Sequence, residues 1–189
     1  MDIPDLYARA QDGFGVRVHR ITDSQWVAAT PCSDWDVRAL VNHLVGEIMW
    51  VVPLFEGRTI AEVGAQFDGD LLGDNPVGVW DQAAPAAIAA VRQPGAMERI
   101  VHLSYGDNPG SEYVMGLMSD LLVHGWDLAR ATGQDDTMDP ELVAVCARWF
   151  AGMAAGYRAA GVVASRPAVT PDADAQAQLL ADFGRSAVG

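Results

Sequence analysis

Apolar positions recur along most of this chain with the spacing of amphipathic helices, and proline or glycine separates the periodic segments. The pattern predicts five long helices, over residues 3–28, 34–53, 77–95, 109–133 and 140–161. It also predicts three minor elements: a helical turn near 60–67, an extended segment around 100–105 and a short helix within 175–184. Little of the chain has the alternating pattern of a strand.

Capping residues set the expected helix starts. Ser33 with Asp36 three residues on is a capping pattern before the second helix. Asn108-Pro109 and Asp139-Pro140 each offer a cap followed by proline in the first turn of the fourth and fifth helices. Pro85 is expected to interrupt the third helix.

This order of elements is typical of an all-α fold. Long helices joined by one long crossover, with little or no sheet, bury their apolar faces against one another in a bundle. A chain of 189 residues suits one domain with a sizeable core. We therefore expect a single helical-bundle domain over 1–189, in which 162–189 is an extended tail with a short terminal helix.

The net charge and the hydropathy of the chain argue against two classes of binding partner. The formal net charge of −13 argues against nucleic acid, whose phosphates need a basic surface, and against an anionic membrane surface. No run of about 18 uninterrupted apolar residues predicts a membrane span, and the start "MDIPDLYARAQDG" lacks the features of a secretory signal. A soluble, cytoplasmic protein is expected.

The two cysteines, Cys32 and Cys146, lie far apart and form no CxxC motif. A disulfide is not expected in a reducing compartment, and a cysteine-based zinc knuckle is excluded by their number. Cys146 lies in an apolar helical segment and is expected in the core.

Polar residues interrupt the otherwise apolar segment "SDLLVHGWDLARATG" in a regular way. Asp120, His124 and Asp127 fall within one narrow stripe of a helix, at spacings of four and three. The second helix carries a similar stripe, with His43 and Glu47 four residues apart. Imidazole and carboxylate groups on facing helices are how bundles build metal sites.

Two interpretations of these stripes stay open from spacing alone. Two histidines with one carboxylate would leave open coordination positions, as catalytic metal sites do. Histidines on apolar helical faces also occur as hydrogen-bonded core residues without a metal. Asp127 and Glu47 are candidates for orienting the imidazoles. Tyr113 and Trp50 are candidates for lining a cleft.

The segments "TPCSDWDVRALVNHLVGE" and "MSDLLVHGWDLARATG" together resemble the DinB-like family of metal-binding four-helix bundles. The resemblance is to its actinobacterial branch, related to the N-terminal domain of mycothiol-dependent maleylpyruvate isomerases. All twelve lysine or arginine positions are arginine, which fits a GC-rich actinobacterial source.

The resemblance implies an up-down-down-up four-helix bundle that holds a divalent metal between helices. Its ligands would correspond to His43, Asp120 and His124. Zinc is the expected metal, with nickel or iron as alternatives. Many family members have glutamate or a third histidine where this chain has Asp120.

Three hypotheses for function follow. The first is a metal-dependent transferase or isomerase that uses a low-molecular-weight thiol such as mycothiol as cosubstrate, and acts on an electrophilic small molecule. The second is a non-catalytic, dimeric metal-binding module in stress response or regulation. The third is a bundle whose metal site has decayed. A homodimer is expected in the first two, because the fourth helix is apolar nearly all round.

Overall fold

The computed structural model describes residues 2–186, which are mostly helical. The chain divides into two compact units, Met1–Gln134 and Asp135–Gly189, and each is described by itself below. A single domain over 1–189 stays a prediction.

The first unit contains four long helices, one short helix and a small hairpin. The helices are α1 (Ile3–Val18), α2 (Val37–Phe55), α3 (Ile60–Val63), α4 (Pro76–Val91) and α5 (Gly110–Thr132). Two 3₁₀ helices, Asp23–Gln25 and Gly64–Phe67, lie in the connections. α1 packs against α4 and α5, and α2 packs against the same two helices. The predicted helical turn near 60–67 is confirmed.

α2 lies in the core of this unit. Among the described residues it is the one helix that is long and apolar enough by composition to span a membrane. Half of that stretch is buried within the fold.

The hairpin consists of β1 (Ile100–Leu103) and β2 (Gly106–Pro109), paired antiparallel with Val101 opposite Asn108. The predicted extended segment is thus half of a two-stranded sheet. The prediction that Asn108 caps a helix beginning at Pro109 is wrong, because both residues pair in β2. α5 begins at Gly110, whose N–H donates to the Arg99 carbonyl.

Several predicted helix boundaries are also wrong. α1 ends at Val18, not Ala28, because Thr22 adopts an extended conformation and its N–H donates to the Gln25 side chain, which starts the 3₁₀ helix. α2 begins at Val37, because the side chain that caps it is Asp36, which accepts from the Ala39 N–H.

Proline does not break the third long helix. Pro85 lies inside α4, which continues to Val91, so the predicted interruption is wrong. A proline removes one backbone hydrogen bond, and the surrounding packing maintains the helix here. The predicted end of α5 is confirmed: Gly133 closes the helix with φ 66° and ψ 28°, a left-handed conformation that suits glycine.

The second unit contains α6 (Pro140–Ala151), α7 (Ala154–Ala159) and α8 (Ala175–Asp182). Asp139 caps α6 as predicted, but the predicted helix is divided at Gly152. The core includes a stacked pair, Phe150 and Phe183, with ring centroids 4.0 Å apart, and Cys146 is buried in it as expected. The short terminal helix is confirmed as α8, while residues 187–189 of the predicted tail lie outside the described residues.

Candidate metal centre

The structure brings together three residues from the two predicted stripes. His43 extends from α2, and Asp120 and His124 extend from α5, one turn apart. His43 Nε2 lies 3.0 Å from Asp120 Oδ2, and His124 Nε2 lies 3.5 Å from Asp120 Oδ1. One donor atom from each residue lies within 4.8 Å of the other two. We call these three residues the His–Asp–His cluster.

The donor atoms of this cluster fit a divalent metal. Nitrogen and oxygen ligands lie about 2.0–2.2 Å from zinc, so two ligands of one ion lie about 3.0–3.6 Å apart. Each imidazole nitrogen lies in this range from one oxygen of Asp120, His43 Nε2 from Oδ2 and His124 Nε2 from Oδ1. Two imidazoles and one carboxylate suit zinc, nickel or iron, and three ligands leave positions for a further group.

Exposure differs within the cluster. The side chains of His43 and Asp120 are 26% and 37% exposed, whereas that of His124 is 9% exposed. The cluster is therefore partly open to solvent at His43 and Asp120 and closed around His124. A small molecule could reach it without unfolding of a helix.

Asp127 holds the imidazole of His124. Its Oδ2 lies 2.9 Å from His124 Nδ1, and the carboxylate is fully buried. With a proton on Nδ1 donated to Asp127, Nε2 carries a lone pair directed to the cluster. A carboxylate in this position fixes both the ring orientation and the tautomer.

Trp35 covers the two imidazoles. Its ring centroid lies 4.5 Å from that of His43 and 5.4 Å from that of His124. It lies in the irregular segment before α2, which is held by the Thr30 hydroxyl donating to the Trp35 carbonyl at 2.8 Å. Sequence reasoning did not find this residue. The only signal was an aromatic between two aspartates just before the helix that carries His43.

The pKa values of two groups at the site, His43 and Glu47, are raised above their ordinary values. Burial acts to lower the pKa of His43, but the hydrogen bond and charge of Asp120, with the charge of Glu47, raise it overall. Burial raises the pKa of Glu47, as does the charge of Asp120, while the two imidazoles act in the opposite direction. Glu47 is thus placed where its charge acts on the cluster. Its role in orienting an imidazole stays a prediction.

Tyr113 and Trp50, the two candidates for lining a cleft, have different surroundings. Tyr113 is buried on α5 with 8% exposure. Trp50 packs edge-on against Phe67 of the crossover, with ring centroids 5.2 Å apart.

The other two histidines lie outside the cluster, and each has an aspartate partner that the sequence did not reveal. His19 Nε2 lies 3.0 Å from Asp81 Oδ1, and His102 Nδ1 lies 2.7 Å from Asp107 Oδ1. Both pairs are largely exposed.

Fold and cluster together define a mostly helical protein with a candidate metal centre. Residues 7–129 match the family of the mycothiol maleylpyruvate isomerase N-terminal domain, and the chain belongs to this family. The resemblance seen in the sequence is thereby confirmed.

Two relatives in Mycobacterium tuberculosis, from strains CDC 1551 and H37Rv, are described as uncharacterized proteins. Each is 34% identical over 142 residues, which cover 75% of this chain and 74% of the relative. No solved structure matches the chain significantly.

Proposed function

We propose that this protein binds a divalent metal through His43, Asp120 and His124, and acts with a low-molecular-weight thiol such as mycothiol on an electrophilic small molecule. The reaction would be a thiol transfer or a thiol-assisted isomerisation. The observation that carries the proposal is the His–Asp–His cluster in a member of the mycothiol maleylpyruvate isomerase N-terminal domain family. Zinc is the metal we expect, with nickel or iron as alternatives.

The proposal also covers the arrangement of the four long helices in the first unit. The pairs α1–α5, α5–α2, α2–α4 and α4–α1 are in contact, which supports our proposal of a four-helix bundle. We propose an up-down-down-up order for these helices, with the segment between α2 and α4 as the long crossover. This arrangement supports a site built from side chains of α2 and α5.

Each side chain has a part in the proposed reaction. A divalent ion held by the cluster would lower the pKa of a thiol placed beside it, so that thiolate becomes available at neutral pH. Asp127 pairs with Nδ1 of His124, which leaves Nε2 as the ring nitrogen that faces the cluster. Trp35 shields one side of both imidazoles from water.

Glu47 is the group that we propose as the proton carrier. Because burial and Asp120 raise its pKa, its carboxylate accepts a proton more readily than an exposed glutamate does. It can therefore take the proton that leaves the thiol and return it to the product. In an addition, the thiolate sulfur forms a bond to an electrophilic carbon, a π bond of the electrophile breaks, and the atom that receives its electron pair takes the proton from Glu47.

Two further features are proposed. The protein is cytoplasmic, because its thiol cosubstrate and its free cysteines belong to a reducing compartment. It is a homodimer, which light scattering of the purified protein would test. We expect neither nucleic acid nor a membrane as partner, in line with the net charge of −13.

A single set of samples tests the function. Purified protein is analysed for metal, then incubated with mycothiol and a panel of electrophiles while free thiol is measured. Metal with thiol-dependent turnover that His124→Ala abolishes supports the proposal. Metal without turnover on any electrophile indicates the non-catalytic binding module, and protein that binds no metal indicates a decayed site.

A further inference from the structure

A cleft lies between α1 and α4 of the first unit, and we call it the α1–α4 cleft. Its volume is about 520 Å³, within the range of about 300–1,000 Å³ that is typical of small-molecule sites. The described residues that line it come from α1, the turn after α1 and α4, and none of them belongs to the His–Asp–His cluster. The α1–α4 cleft is therefore a second candidate site, separate from the candidate metal centre.

Ion pairs connect the two helices near both of their ends. Arg92 Nη2, directly after α4, lies 3.0 Å from Asp5 Oδ1 in the first turn of α1. His19 Nε2, directly after α1, lies 3.0 Å from Asp81 Oδ1 in the first half of α4. The two helices therefore run antiparallel. The cleft extends from the His19–Asp81 pair toward the middle of both helices.

A buried tryptophan offers a hydrogen bond to the cleft. Trp80 is 3% exposed, yet it lines the cleft. A Cβ at Gly15 would lie 2.7 Å from its indole nitrogen, so the absence of a side chain at Gly15 leaves room for that nitrogen. The indole N–H donates to no residue in the described part of the chain, and its nitrogen stays accessible to solvent. Because a buried indole N–H usually has a partner, this one is a donor for a molecule in the cleft.

Two of the four charged residues that line the cleft offset each other. The ring nitrogens of His19 face two acceptors: Nδ1 lies 2.7 Å from the Gly15 carbonyl oxygen, and Nε2 faces the Asp81 carboxylate. In this geometry both nitrogens donate, so the imidazole is positively charged. Its charge offsets that of Asp81, and the pair leaves little net charge at this point of the cleft.

The other two charged residues, Asp12 and Arg20, have opposite charges and lie at opposite ends of the lining stretch of α1. Within the part of the chain that the structure describes, neither side chain forms an ion pair or a hydrogen bond. They are separated by about 12 Å along the helix direction, at about 1.5 Å per residue. The cleft therefore has a negative end at Asp12 and a positive end at Arg20.

Apolar side chains form the walls between these ends. They belong to Val16, Ala84, Pro85 and Ile88, and Val16 is 50% exposed, which is a large fraction for an apolar residue. Pro85 has no N–H, so the carbonyl of Asp81, one turn earlier in α4, lacks its usual helical donor. The walls thus combine apolar surface with one backbone acceptor.

We infer that the α1–α4 cleft binds a short zwitterionic peptide of about three residues. Its ammonium group pairs with Asp12 and its carboxylate with Arg20, since an extended tripeptide spans about 10 Å, close to the separation of these ends. A peptide carbonyl accepts from the Trp80 indole, and apolar side chains contact the walls. A free amino acid is too short to reach both ends, and a monocarboxylate leaves Asp12 without a partner. This inference is independent of the metal and of the proposed reaction.

The tripeptide Ala-Leu-Ala and its two blocked forms, N-acetylated and C-amidated, test the inference as probes. Dissociation constants are measured by ligand-detected NMR on the full chain for wild type, Asp12→Asn and Arg20→Gln. Asp68→Asn and Arg148→Gln are the matched controls, because both residues are exposed and lie outside the cleft. All four variants change exposed side chains, so they are expected to fold.

The expected result is a specific match between each charge variant and one end of the peptide. Asp12→Asn weakens binding of the free peptide by about twofold to fivefold and leaves the acetylated form unchanged. Arg20→Gln weakens binding of the free and acetylated peptides by a similar factor and leaves the amidated form unchanged. The two control variants bind all three probes as wild type does.

Trp80→Phe tests the hydrogen bond at the floor of the cleft. Loss of the indole N–H is expected to weaken binding of all three probes by about threefold to tenfold. Trp80 packs against Phe14, with ring centroids 4.9 Å apart, so the fold of this variant is verified by circular dichroism. Should it not fold, the two charge variants decide the matter alone.

Each titration is repeated with and without zinc, because peptide termini also bind metal ions. Equal affinity under both conditions, and in His124→Ala, is expected for a site that shares no residue with the cluster. Binding that requires zinc would place the peptide at the metal and overturn the inference. Absence of binding to wild type, or equal affinity of the free peptide for wild type, Asp12→Asn and Arg20→Gln, would overturn it as well.

Discussion

Asp127 Oδ2 accepts a hydrogen bond from His124 Nδ1 at 2.9 Å, and the aspartate is completely buried beneath the imidazole. The pair is three residues apart on α5, so the helix itself fixes their relative position. A buried carboxylate is costly unless it is paired, and this one is paired with a candidate metal ligand. The relationship explains why an otherwise apolar helix carries a second aspartate.

Asp127→Asn tests this relationship. The asparagine has the same shape, but its amide can donate as well as accept, so it no longer specifies the proton on Nδ1. We expect metal affinity to fall by about 10- to 100-fold, measured by competition with a chromophoric chelator. Asp107→Asn is the matched control, because Asp107 also pairs with a histidine, His102, but outside the cluster. Equal affinity in Asp127→Asn and wild type would show that the pair has no role in metal binding.

Trp35→Ala tests the aromatic cover of the cluster. Loss of the ring contacts with His43 and His124 is expected to lower metal affinity by about threefold to tenfold, because aromatic pairs contribute about 0.5–1.5 kcal/mol. Trp35→Phe keeps an aromatic ring and is expected to retain most of the affinity. Trp149→Ala, in the second unit, should have no effect. The hypothesis fails when Trp35→Ala and Trp149→Ala bind metal alike.

Glu47→Gln tests the electrostatics through the pH dependence of stability. Because the folded-state pKa of Glu47 is raised, the folded protein binds its proton more tightly than the unfolded chain does. Glu47 therefore destabilises the metal-free protein progressively as pH rises from the ordinary value of 4.5 through the raised pKa. Glutamine cannot ionise, so the variant should gain stability relative to wild type as pH rises.

Urea unfolding of metal-free protein over this pH range measures the difference. Glu98→Gln is the control, since Glu98 is exposed. Parallel pH profiles for Glu47→Gln and wild type would contradict the placement of Glu47 in a partly buried position near the Asp120 carboxylate.

Alanine substitutions at two glycines of α1 are expected to have opposite effects on the stability of the protein. A Cβ at Gly15 would lie 2.7 Å from Trp80 Nε1, so Gly15→Ala should destabilise the protein by about 1–3 kcal/mol through displacement of the indole. A Cβ at Gly13 would lie at an ordinary 3.7 Å from the Arg17 guanidinium, so Gly13→Ala should stabilise the helix by up to about 1 kcal/mol. Chemical denaturation of both variants shows whether each substitution stabilises or destabilises the protein. Stabilisation by Gly15→Ala would show that α1 and α4 do not approach so closely.

The sequence was sufficient to predict the residues of the cluster because their arrangement is local. Asp120 and His124 are one turn apart on α5, and helical periodicity places them on one stripe with no knowledge of the rest of the fold. That His43 on α2 faces this stripe required the assumption that the helices pack side by side, which their contact confirms.

Trp35 could not be predicted in the same way. Its position over both imidazoles depends on the irregular segment before α2, where hydrogen bonds of the Thr30 side chain set the conformation. No periodicity applies to such a segment. The pairing of His102 with Asp107 likewise depends on the register of the hairpin, which was not predicted.

Helix ends were the least predictable part of the fold. The apolar pattern continues past Val18, yet the capping interaction of Thr22 with Gln25 starts a new element. Asp36 rather than Ser33, three residues before it, caps α2, because the Asp36 side chain accepts the hydrogen bond from the Ala39 N–H. α4 continues through Pro85 because tertiary packing maintains the helix there.

The central claim is that His43, Asp120 and His124 hold a divalent metal, and the metal-to-protein ratio of purified protein tests it most directly. The ratio is measured by elemental analysis after zinc loading and dialysis, for wild type and for alanine variants of the three residues, with His19→Ala and His102→Ala as controls. The account predicts one zinc per chain in wild type and in both controls, and loss of that zinc in His43→Ala, Asp120→Ala and His124→Ala. Full zinc content in the three cluster variants, or none in wild type, would contradict it.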